Sequence, residues 1–421
     1  MTAQTHTLPD GDLDPLTGAT DPVAAAHEYV AGQAFRADER RRVGLELEFH
    51  LVDLADPARR PEWPQVQSLV AGLPALPGGS SVTVEPGGQV ELSTPPRDDL
   101  PAAVEALAAD ARGLRSGLSG TGFGVAALGA DPARPVRRSN PASRYVAMED
   151  HFEAVGCPGA GRSMMASTAA LQVNLDAGPA GEWQSRLELL RSLVPVLVAA
   201  SSSSPYLAGR ASGWHSMRQE TWAGIDAGRS DPVPVGEPTA AWAAYALAAP
   251  VMLVRDGDRH TALTTRVSFA EWLAAPERVG RPAAVADLDY HLSTLFPPVR
   301  PRGYLEIRCL DSLPDRWWPA LAGLVVTLVD DPTAADAARD VAAPAAGLWE
   351  AAARHGIDHP EVRRAVTGCV ELAARHAHAA VRPGLEELAE LIGSGRTPSS
   401  ELRARIDAVG PTRVLEEEAH A

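Results

Sequence analysis

The sequence predicts an α+β fold built on a largely antiparallel sheet. The segments that alternate apolar and polar side chains, as half-buried strands do, all lie before residue 310. From Asp315 onward the pattern is almost wholly helical, and the connections between the earlier strands are long. This separation of strands from helices favours α+β over the strict strand–helix alternation of a parallel sheet.

The N-terminal part is expected to lead into the first two strands. Residues 1–22 are rich in Thr, Asp, Gly and Pro and predict a flexible leader, and the length of the remaining chain allows one large domain or two. A helix is predicted from Pro22 to Arg41, with Asp21 as its N-cap. A strand over Val43–His50 follows at once. The next strand pair, within Val82–Ser93, is interrupted by Pro-Gly-Gly, which lets the backbone turn tightly and approach a ligand.

The middle of the chain is predicted to alternate helices with further strands, before a helical part over about 333–421. A Gly-rich loop is expected at 156–161, and an aperiodic segment rich in Arg and Trp at 210–229. The helices are predicted at Asp98–Leu118, Ser143–Val155 and Gly181–Ala200, and the strands at Phe123–Leu128, Leu171–Asp176, Val251–Arg255 and Tyr304–Cys309.

The charge balance excludes one class of partner and restricts the chemistry. A net charge of −16 argues against a nucleic-acid-binding surface, which needs clustered positive charge. All 38 basic residues are arginine, so no lysine nucleophile or Schiff base is available. Contacts to phosphate must therefore come from arginine, histidine, backbone amides or metal ions.

Compartment signals predict a cytoplasmic protein that does not enter a membrane. The three cysteines are far apart and match no zinc or redox spacing, so free thiols are expected. No basic stretch followed by an apolar core is present at the N-terminus. The longest apolar stretch, Trp317–Val329, is short and interrupted, and predicts a buried helix.

Four of the predicted strands carry polar side chains on one face. Because side chains alternate across a strand, each pair two residues apart shares a face. These pairs are Glu46 and Glu48, Gln89 and Glu91, Gln172 and Asn174, and Glu306 and Arg308. If the strands pair in one sheet, several carboxylates gather on that face and repel one another unless cations lie among them.

A solvated sheet face is the ordinary explanation for glutamates on any one of these strands. Such a face normally mixes charges of both signs, whereas here Arg308 is the one basic residue, apart from His50 at a strand end. An excess of hard oxygen ligands suits Mg²⁺ that holds nucleotide phosphates. The pattern therefore predicts a site for several magnesium ions.

The aperiodic segment offers a second candidate contact with anions. Arg210, Arg218 and Arg229 lie there beside Trp214 and Trp222. A surface loop with ordinary salt bridges explains them equally well. The functional alternative is a guanidinium clamp on phosphate or on a substrate carboxylate.

Five motifs in order resemble the glutamate–cysteine ligase family. They are Gly44-Leu-Glu-Leu-Glu48, Val84-Glu-Pro-Gly-Gly-Gln-Val-Glu-Leu-Ser93, Leu171-Gln-Val-Asn-Leu-Asp176, Arg218…Trp222…Asp226…Arg229 and Leu305-Glu-Ile-Arg-Cys-Leu-Asp311. The second motif resembles the plant and proteobacterial type. The chain as a whole is most similar to the bacterial branch that serves ergothioneine synthesis, over about residues 40–330.

The resemblance implies a glutamine-synthetase-like fold, in which a curved antiparallel sheet forms a funnel with helices on its outer face. It also implies ATP with two or three Mg²⁺ ions. The implied metal ligands are Glu46, Glu48, Glu85, Glu91 and Glu306. The implied substrate or nucleotide contacts are Gln89, Gln172, Asn174, Arg218, Arg229 and Arg308. The three arginines have the catalytic roles, with Arg308 on the transferred phosphoryl group.

The implied reaction joins L-glutamate to L-cysteine through a γ-glutamyl phosphate. Neither the cysteine pocket nor the general base is legible in the sequence, nor is the oligomeric state. Two alternatives therefore stay open. One is a ligase that couples glutamate to another amine, and the other is a non-catalytic relative that binds glutamate or nucleotide.

Overall fold

The computed structural model describes residue 14 and residues 16–421. Most of the predicted leader over 1–22 lies outside these residues. Where it is described, Leu16 is buried in the main hydrophobic core, only 2% exposed. The predicted leader therefore packs on the core at Leu16, and its flexibility stays a prediction.

Within the described residues, one antiparallel sheet joins seven strands in the order β10-β11-β5-β1-β3-β2, and β4 pairs with the second half of β1. These strands are β1 (Val43–Asp53), β2 (Ser81–Val84), β3 (Val90–Ser93), β4 (Phe123–Ala126), β5 (Ala170–Asp176), β10 (Val299–Pro301) and β11 (Tyr304–Asp311). Two hairpins stand apart, β6 (Tyr206–Leu207) with β7 (Arg210–Ala211) and β8 (Leu253–Asp256) with β9 (Arg259–Ala262). The predicted α+β class with an antiparallel sheet is confirmed.

The helices up to residue 292 connect the strands. They are α1 (Pro22–Ala34), α2 (Trp63–Ala71), α3 (Leu100–Leu118), α4 (Ser143–Ala154), α5 (Pro158–Ser167), α6 (Trp183–Ser201), α7 (Met217–Ala223), α8 (Ala227–Ser230), α9 (Pro238–Ala248), α10 (Phe269–Ala274) and α11 (Val285–Leu292). The C-terminal helices are α12 (Trp318–Asp330), α13 (Pro332–Ala342), α14 (Trp349–His355), α15 (Pro360–His376), α16 (Arg382–Gly393), α17 (Pro398–Val409) and α18 (Pro411–His420).

The main core lies on the apolar face of the sheet. Leu47 of β1, Val173 of β5 and Ile307 of β11 are fully buried there, together with Cys309. Helices α3, α6 and α12 pack against these strands. The apolar stretch of α12 is buried as predicted, and no described helix is long and apolar enough to cross a membrane.

A second, smaller hydrophobic cluster is separate from the main core. Its buried members include Met148, Phe152, Met165, Met252 and Tyr290. They come from α4, α5, α11 and the segment that leads into β8. We call these elements, together with α7 and the β8–β9 hairpin, the canopy.

Several predicted elements need correction. The first helix begins at Pro22, capped by Asp21, but ends at Ala34, because Phe35 becomes extended and bridges to Gly303. The expected Gly-rich loop over 156–161 is mostly the start of α5, where Gly161 packs tightly on Phe152. Both differences arise from tertiary contacts that local sequence does not report.

Two further corrections concern residues 210–256. The segment expected to be aperiodic holds β7 and the short helices α7 and α8, the first capped by Ser216. The strand expected at Val251–Arg255 forms β8, which pairs with β9 instead of joining the main sheet. It belongs to the canopy.

Candidate active site

Polar side chains form rows across the main sheet because the strand register aligns them. The direct cross-strand partners are Glu48 with Glu91, Glu46 with Gln172, and Glu306 with Asn174. Directly paired residues share a face, as do residues two apart on a strand. All six side chains therefore lie on the face opposite the main core, as the sequence predicted.

Glu46 lies at the centre of these rows and is 5% exposed. Burial, followed by the negative charges of Glu91 and Glu306, raises its pKa to about 8. The amide of Asn174 opposes this by donating to Glu46 Oε1 at 2.9 Å. Without a cation, Glu46 is therefore largely protonated at neutral pH.

Glu48 and Glu85 belong to the same electrostatic cluster. Burial raises the pKa of Glu48 well above its ordinary value, and the charges of Glu85 and Glu91 add to the rise. Burial also raises the pKa of Glu85, against the opposing charges of Arg308 and Arg144. The predicted convergence of carboxylates from β1, β3 and the turn before β3 is thus observed.

Glu48 and Glu91 each accept a hydrogen bond through one carboxylate oxygen, Oε2. The backbone amide of Ala170 donates to Glu48 Oε2 at 2.9 Å, and the Thr83 hydroxyl donates to Glu91 Oε2 at 2.6 Å. One oxygen of each carboxylate is oriented in this way. The second oxygen of each can bind a cation.

Glu306 is in a different electrostatic state. Arg300 of β10 donates to it through Nε at 2.5 Å and through Nη2 at 3.0 Å, and Arg302 and Arg308 approach it at 3.4 and 3.3 Å. Burial alone would raise the pKa of Glu306, but the three guanidiniums outweigh it and hold that pKa well below its ordinary value. The sequence analysis missed Arg300 and Arg302.

The donor set fits magnesium at the carboxylate cluster. Asn174 Oδ1 and Gln89 Oε1 are buried acceptors with no hydrogen-bond partner, and burial together with the charges of Glu91 and Glu306 raises the pKa of Glu46. Among the described residues, no three acidic, His or Cys side chains form a ready-made metal cage. Mg²⁺ usually takes one or two carboxylates in a protein and completes its octahedron with water and phosphate oxygens. Glu306, already neutralised, is the predicted ligand that fits least well.

A tight turn places Glu85 and Gln89 beside the cluster. The backbone amide of Glu85 donates to the carbonyl of Gln89 at 2.8 Å, and Gly88 adopts φ +86°, which favours glycine. The side-chain amide of Gln89 donates to the carbonyl of Thr168 at 2.8 Å. Its nitrogen is therefore fixed on the backbone, and its free oxygen remains a candidate ligand.

Arg308 lies between the sheet and the canopy. Its Nη1 donates to Gln172 Oε1 at 2.5 Å, while its guanidinium lies 5.9 Å from the ring centroid of Trp222 and 6.0 Å from that of Phe296. The same Nη1 lies 3.3 Å from Glu306 Oε1. This position suits contact with an anion that the carboxylate cluster binds through cations.

Arg218 also lies near the carboxylate cluster, close enough for its charge to act on Glu48. It is 3% exposed, and its Nη2 donates to the carbonyl of Arg308 at 2.9 Å, whereas its Nη1 is buried without a partner. Asp311 fixes the segment that carries it by accepting from Ser204 Oγ at 2.6 Å and Ser216 Oγ at 2.8 Å. The unpartnered Nη1 is consistent with the predicted contact with phosphate or carboxylate.

Arg229 is directed elsewhere. It is fully buried, and its Nη1 donates to the carbonyl and hydroxyl of Thr294 at 2.8 and 2.9 Å, while Nη2 donates to the carbonyl of Pro250. These contacts give Arg229 a structural role between α8 and the neighbouring loops. Arg210 is exposed on β7. Of the three arginines in this segment, the structure brings Arg218 to the carboxylates.

The canopy supplies side chains that the sequence analysis did not single out. Tyr145 of α4 is close enough to Glu85 and Glu91 for their charges to raise its pKa, which burial raises most. Trp222 and Phe296 meet edge to face, with centroids 5.1 Å apart. Aromatic residues from three separate segments thus face the polar side of the sheet. No pattern in the sequence marks these residues, because they come together only in the second hydrophobic cluster of the folded protein.

The chain matches one family model and several proteins of known name. The family model described as Glutamate-cysteine ligase family 2 matches residues 42–420. The chain is 45% identical over 398 residues to the protein named glutamate–cysteine ligase EgtA of Mycolicibacterium smegmatis, covering 94% of this chain and 93% of that protein. It is 46% identical over 418 residues to the protein of the same name from Mycobacterium tuberculosis, covering 97% and 96%.

More distant relatives agree. The chloroplastic glutamate–cysteine ligase of Arabidopsis thaliana is 29% identical over 296 residues, covering 68% of this chain and 56% of that protein. A crystal structure of glutamate–cysteine ligase from Francisella tularensis in complex with AMP superimposes with a TM-score of 0.51 at 13% identity. It covers 92% of this chain and 89% of that one, and it supports the fold alone.

Proposed function

Because the chain belongs to glutamate–cysteine ligase family 2, we propose that it joins the γ-carboxylate of L-glutamate to the amino group of L-cysteine. The reaction consumes ATP with Mg²⁺ and gives γ-glutamylcysteine. The catalytic unit spans residues 23–421. The product serves ergothioneine synthesis or that of a related low-molecular-weight thiol.

One observation from the structure carries the proposal. Glu46, Glu48, Glu85 and Glu91 come from separate stretches of sequence and converge on one enclosed face, where their mutual repulsion is left uncompensated. Such an arrangement costs stability in the free protein, and cations with phosphate oxygens remove that cost. A solvated surface has no reason to assemble it.

The residues have distinct roles in this proposal. Glu46, Glu48, Glu85 and Glu91 would hold Mg²⁺ together with the oxygens of Gln89 and Asn174, and Glu306 contributes through the arginines that it orients. When bound there, Mg²⁺ would neutralise negative charge on the phosphate oxygens. Arg308 and Arg218 stabilise negative charge on the transferred phosphoryl group.

The chemistry proceeds in two displacements. A γ-carboxylate oxygen of glutamate attacks the γ-phosphorus of ATP, and ADP leaves as the acyl phosphate forms. The amine nitrogen of cysteine then attacks the acyl carbon, loses a proton, and expels inorganic phosphate. Gln172 fixes Arg308 on the sheet through these steps. No covalent bond to the enzyme is required.

The test offers the purified protein ATP, Mg²⁺ and glutamate with a panel of amines. Phosphate release is followed continuously, and the products are identified by mass spectrometry. We expect cysteine to be the preferred acceptor and γ-glutamylcysteine to be the product. Equal phosphate release with other amines would refute cysteine as the acceptor, and nucleotide binding without turnover would identify a non-catalytic relative.

A further inference from the structure

Two arginines of the canopy have no carboxylate partner among the described residues. The guanidinium carbon of Arg144 lies 4.9 Å from the ring centroid of Tyr290, and that of Arg255 lies 5.4 Å from the same centroid. His260 stacks on this ring at 5.5 Å with an interplanar angle of 23°. Two positive charges therefore meet at one aromatic ring.

The donors of these arginines are largely unused. Arg144 donates to the hydroxyl and carbonyl of Ser293 at 3.3 Å, which is long for a charged donor, and no side-chain hydrogen bond of Arg255 is present in the described structure. Both side chains are half-buried. By contrast, nearby Arg138 pairs with Glu149 at 2.9 Å.

The charges around the pair do not neutralise it. Burial, followed by the charges of Arg144 and Arg255, lowers the pKa of His260, so this ring is neutral at physiological pH. Asp256 and Asp258 are exposed at the hairpin turn, and no ion pair joins either of them to Arg144 or Arg255 in the described structure. In a chain with a net charge of −16, two guanidiniums that share one aromatic ring and have no salt-bridge partner among the described residues offer a preorganised anion site.

This arginine pair lies at the rim of the carboxylate cluster. Trp222 and Phe296 pack against the hydrophobic cluster that contains Tyr290, and their ring centroids lie 5.9 and 6.0 Å from the guanidinium carbon of Arg308. Arg144 is also close enough to Glu85 for its charge to lower the pKa of that carboxyl. An anion held by the pair would therefore be adjacent to the reacting groups.

We propose that Arg144 and Arg255 bind the α-carboxylate of an amino acid substrate. The phosphates of ATP belong with the carboxylates and Arg308 on the sheet side, where cations can join them. The anion left to be recognised from the canopy side is an α-carboxylate, which glutamate and cysteine both carry. This inference rests on the proposed function and assigns a subsite within it.

Substrate analogues that lack the α-carboxylate test the assignment. The wild-type protein, R144Q, R255Q and the double variant are compared with glutamate against 4-aminobutyrate, and with cysteine against cysteamine. We expect KM for one amino acid to rise about 10- to 100-fold in the variants, with KM for ATP unchanged. The preference for that amino acid over its analogue should fall by the same factor, and the affected pair identifies the substrate.

Exposed Arg259 on the same hairpin provides a matched control, and R259Q should leave every KM unchanged. Titration calorimetry of L-glutamate and of L-cysteine, with Mg²⁺ and a non-hydrolysable ATP analogue, covers variants that lose turnover. A preserved preference for the carboxylate-bearing substrates, unchanged affinity for both, or a rise confined to KM for ATP would overturn the assignment. If the wild-type protein turned over neither amino acid, the proposed function itself would fail.

Discussion

Replacement of Glu46 by glutamine should stabilise the protein in the absence of metal. The carboxyl has a pKa of about 8 in the folded chain against an ordinary value of 4.5. The folded state therefore binds more protons than the unfolded state between these values, and stability falls as pH rises through them. Each unit corresponds to about 1.4 kcal/mol, so the penalty at pH 7 is about 3 kcal/mol.

Glutamine removes the titration and keeps the acceptor that Asn174 uses. For 421 residues, an unfolding entropy of about 2.1 cal/mol/K per residue converts 1 kcal/mol into about 1 °C. E46Q should thus raise Tm by about 3 °C at pH 7 in EDTA, and by less than about 1 °C at pH 4.5, where the carboxyl is protonated in the folded state and about half ionised in the unfolded state. Addition of Mg²⁺ with ATP should stabilise the wild-type protein more than E46Q.

Thermal denaturation at both pH values, followed by circular dichroism, measures these differences. Glu105 is exposed on α3, so E105Q serves as a matched control and should change Tm at neither pH. A lower Tm for E46Q at pH 7, or a gain of equal size at pH 4.5, would refute the electrostatic reasoning.

Three further predictions concern turnover and stability. E91Q should lower kcat by at least about 100-fold without lowering Tm in EDTA, because it removes a charged metal ligand and relieves repulsion; substantial activity would count against the metal assignment. R308K should lower kcat about 100-fold with little change in Tm, because an ammonium cannot keep both the contact with Gln172 and the planar fork; steady-state kinetics that match wild type would exclude the phosphoryl role. R300Q should reduce the free energy of unfolding by about 3 kcal/mol in urea denaturation, because it removes the bidentate partner of buried Glu306; an unchanged midpoint would show that Arg302 and Arg308 suffice.

The polar face of the sheet was predictable because its information is local. Alternation within each strand assigns Glu46, Glu91, Gln172 and Glu306 to one side, and antiparallel pairing then brings them together. The Pro-Gly-Gly triplet predicted the tight turn before β3. The family resemblance, which added the roles of these residues as ligands and substrate contacts, is confirmed as to the family by the matched family model.

The pairing of ionised Glu306 with arginines was not predictable in this way. Its main partner, Arg300, lies on β10, a strand of only three residues that ends in proline. So short a segment shows no alternation, and its pairing depends on β11 being in place. The sequence therefore overestimated the net negative charge of the polar face around Glu306, where Arg300 and Arg302 supply positive charge.

The canopy could not be predicted from the sequence for another reason. Its members, such as Tyr145, Trp222 and Tyr290, are spread over about 150 residues and meet only in the second hydrophobic cluster. Arg229 differs from its prediction in the opposite direction. The family resemblance implied that it contacts substrate, whereas its Nη1 and Nη2 donate to the backbone carbonyls of Thr294 and Pro250. The sequence shows neither the canopy nor the contacts of Arg229, because both depend on short helices whose positions are set by tertiary contacts.

The position of β1 in the sheet ties folding to catalysis. This strand pairs with β3, β4 and β5, and it alternates Leu45 and Leu47 in the core with Glu46 and Glu48 in the site. Inserting one residue before Leu45 would slip the register, turning both leucines toward the polar face and both glutamates into the hydrophobic core. A chain with these carboxylates on the wrong face would therefore also lose the apolar contacts that β1 makes with the core.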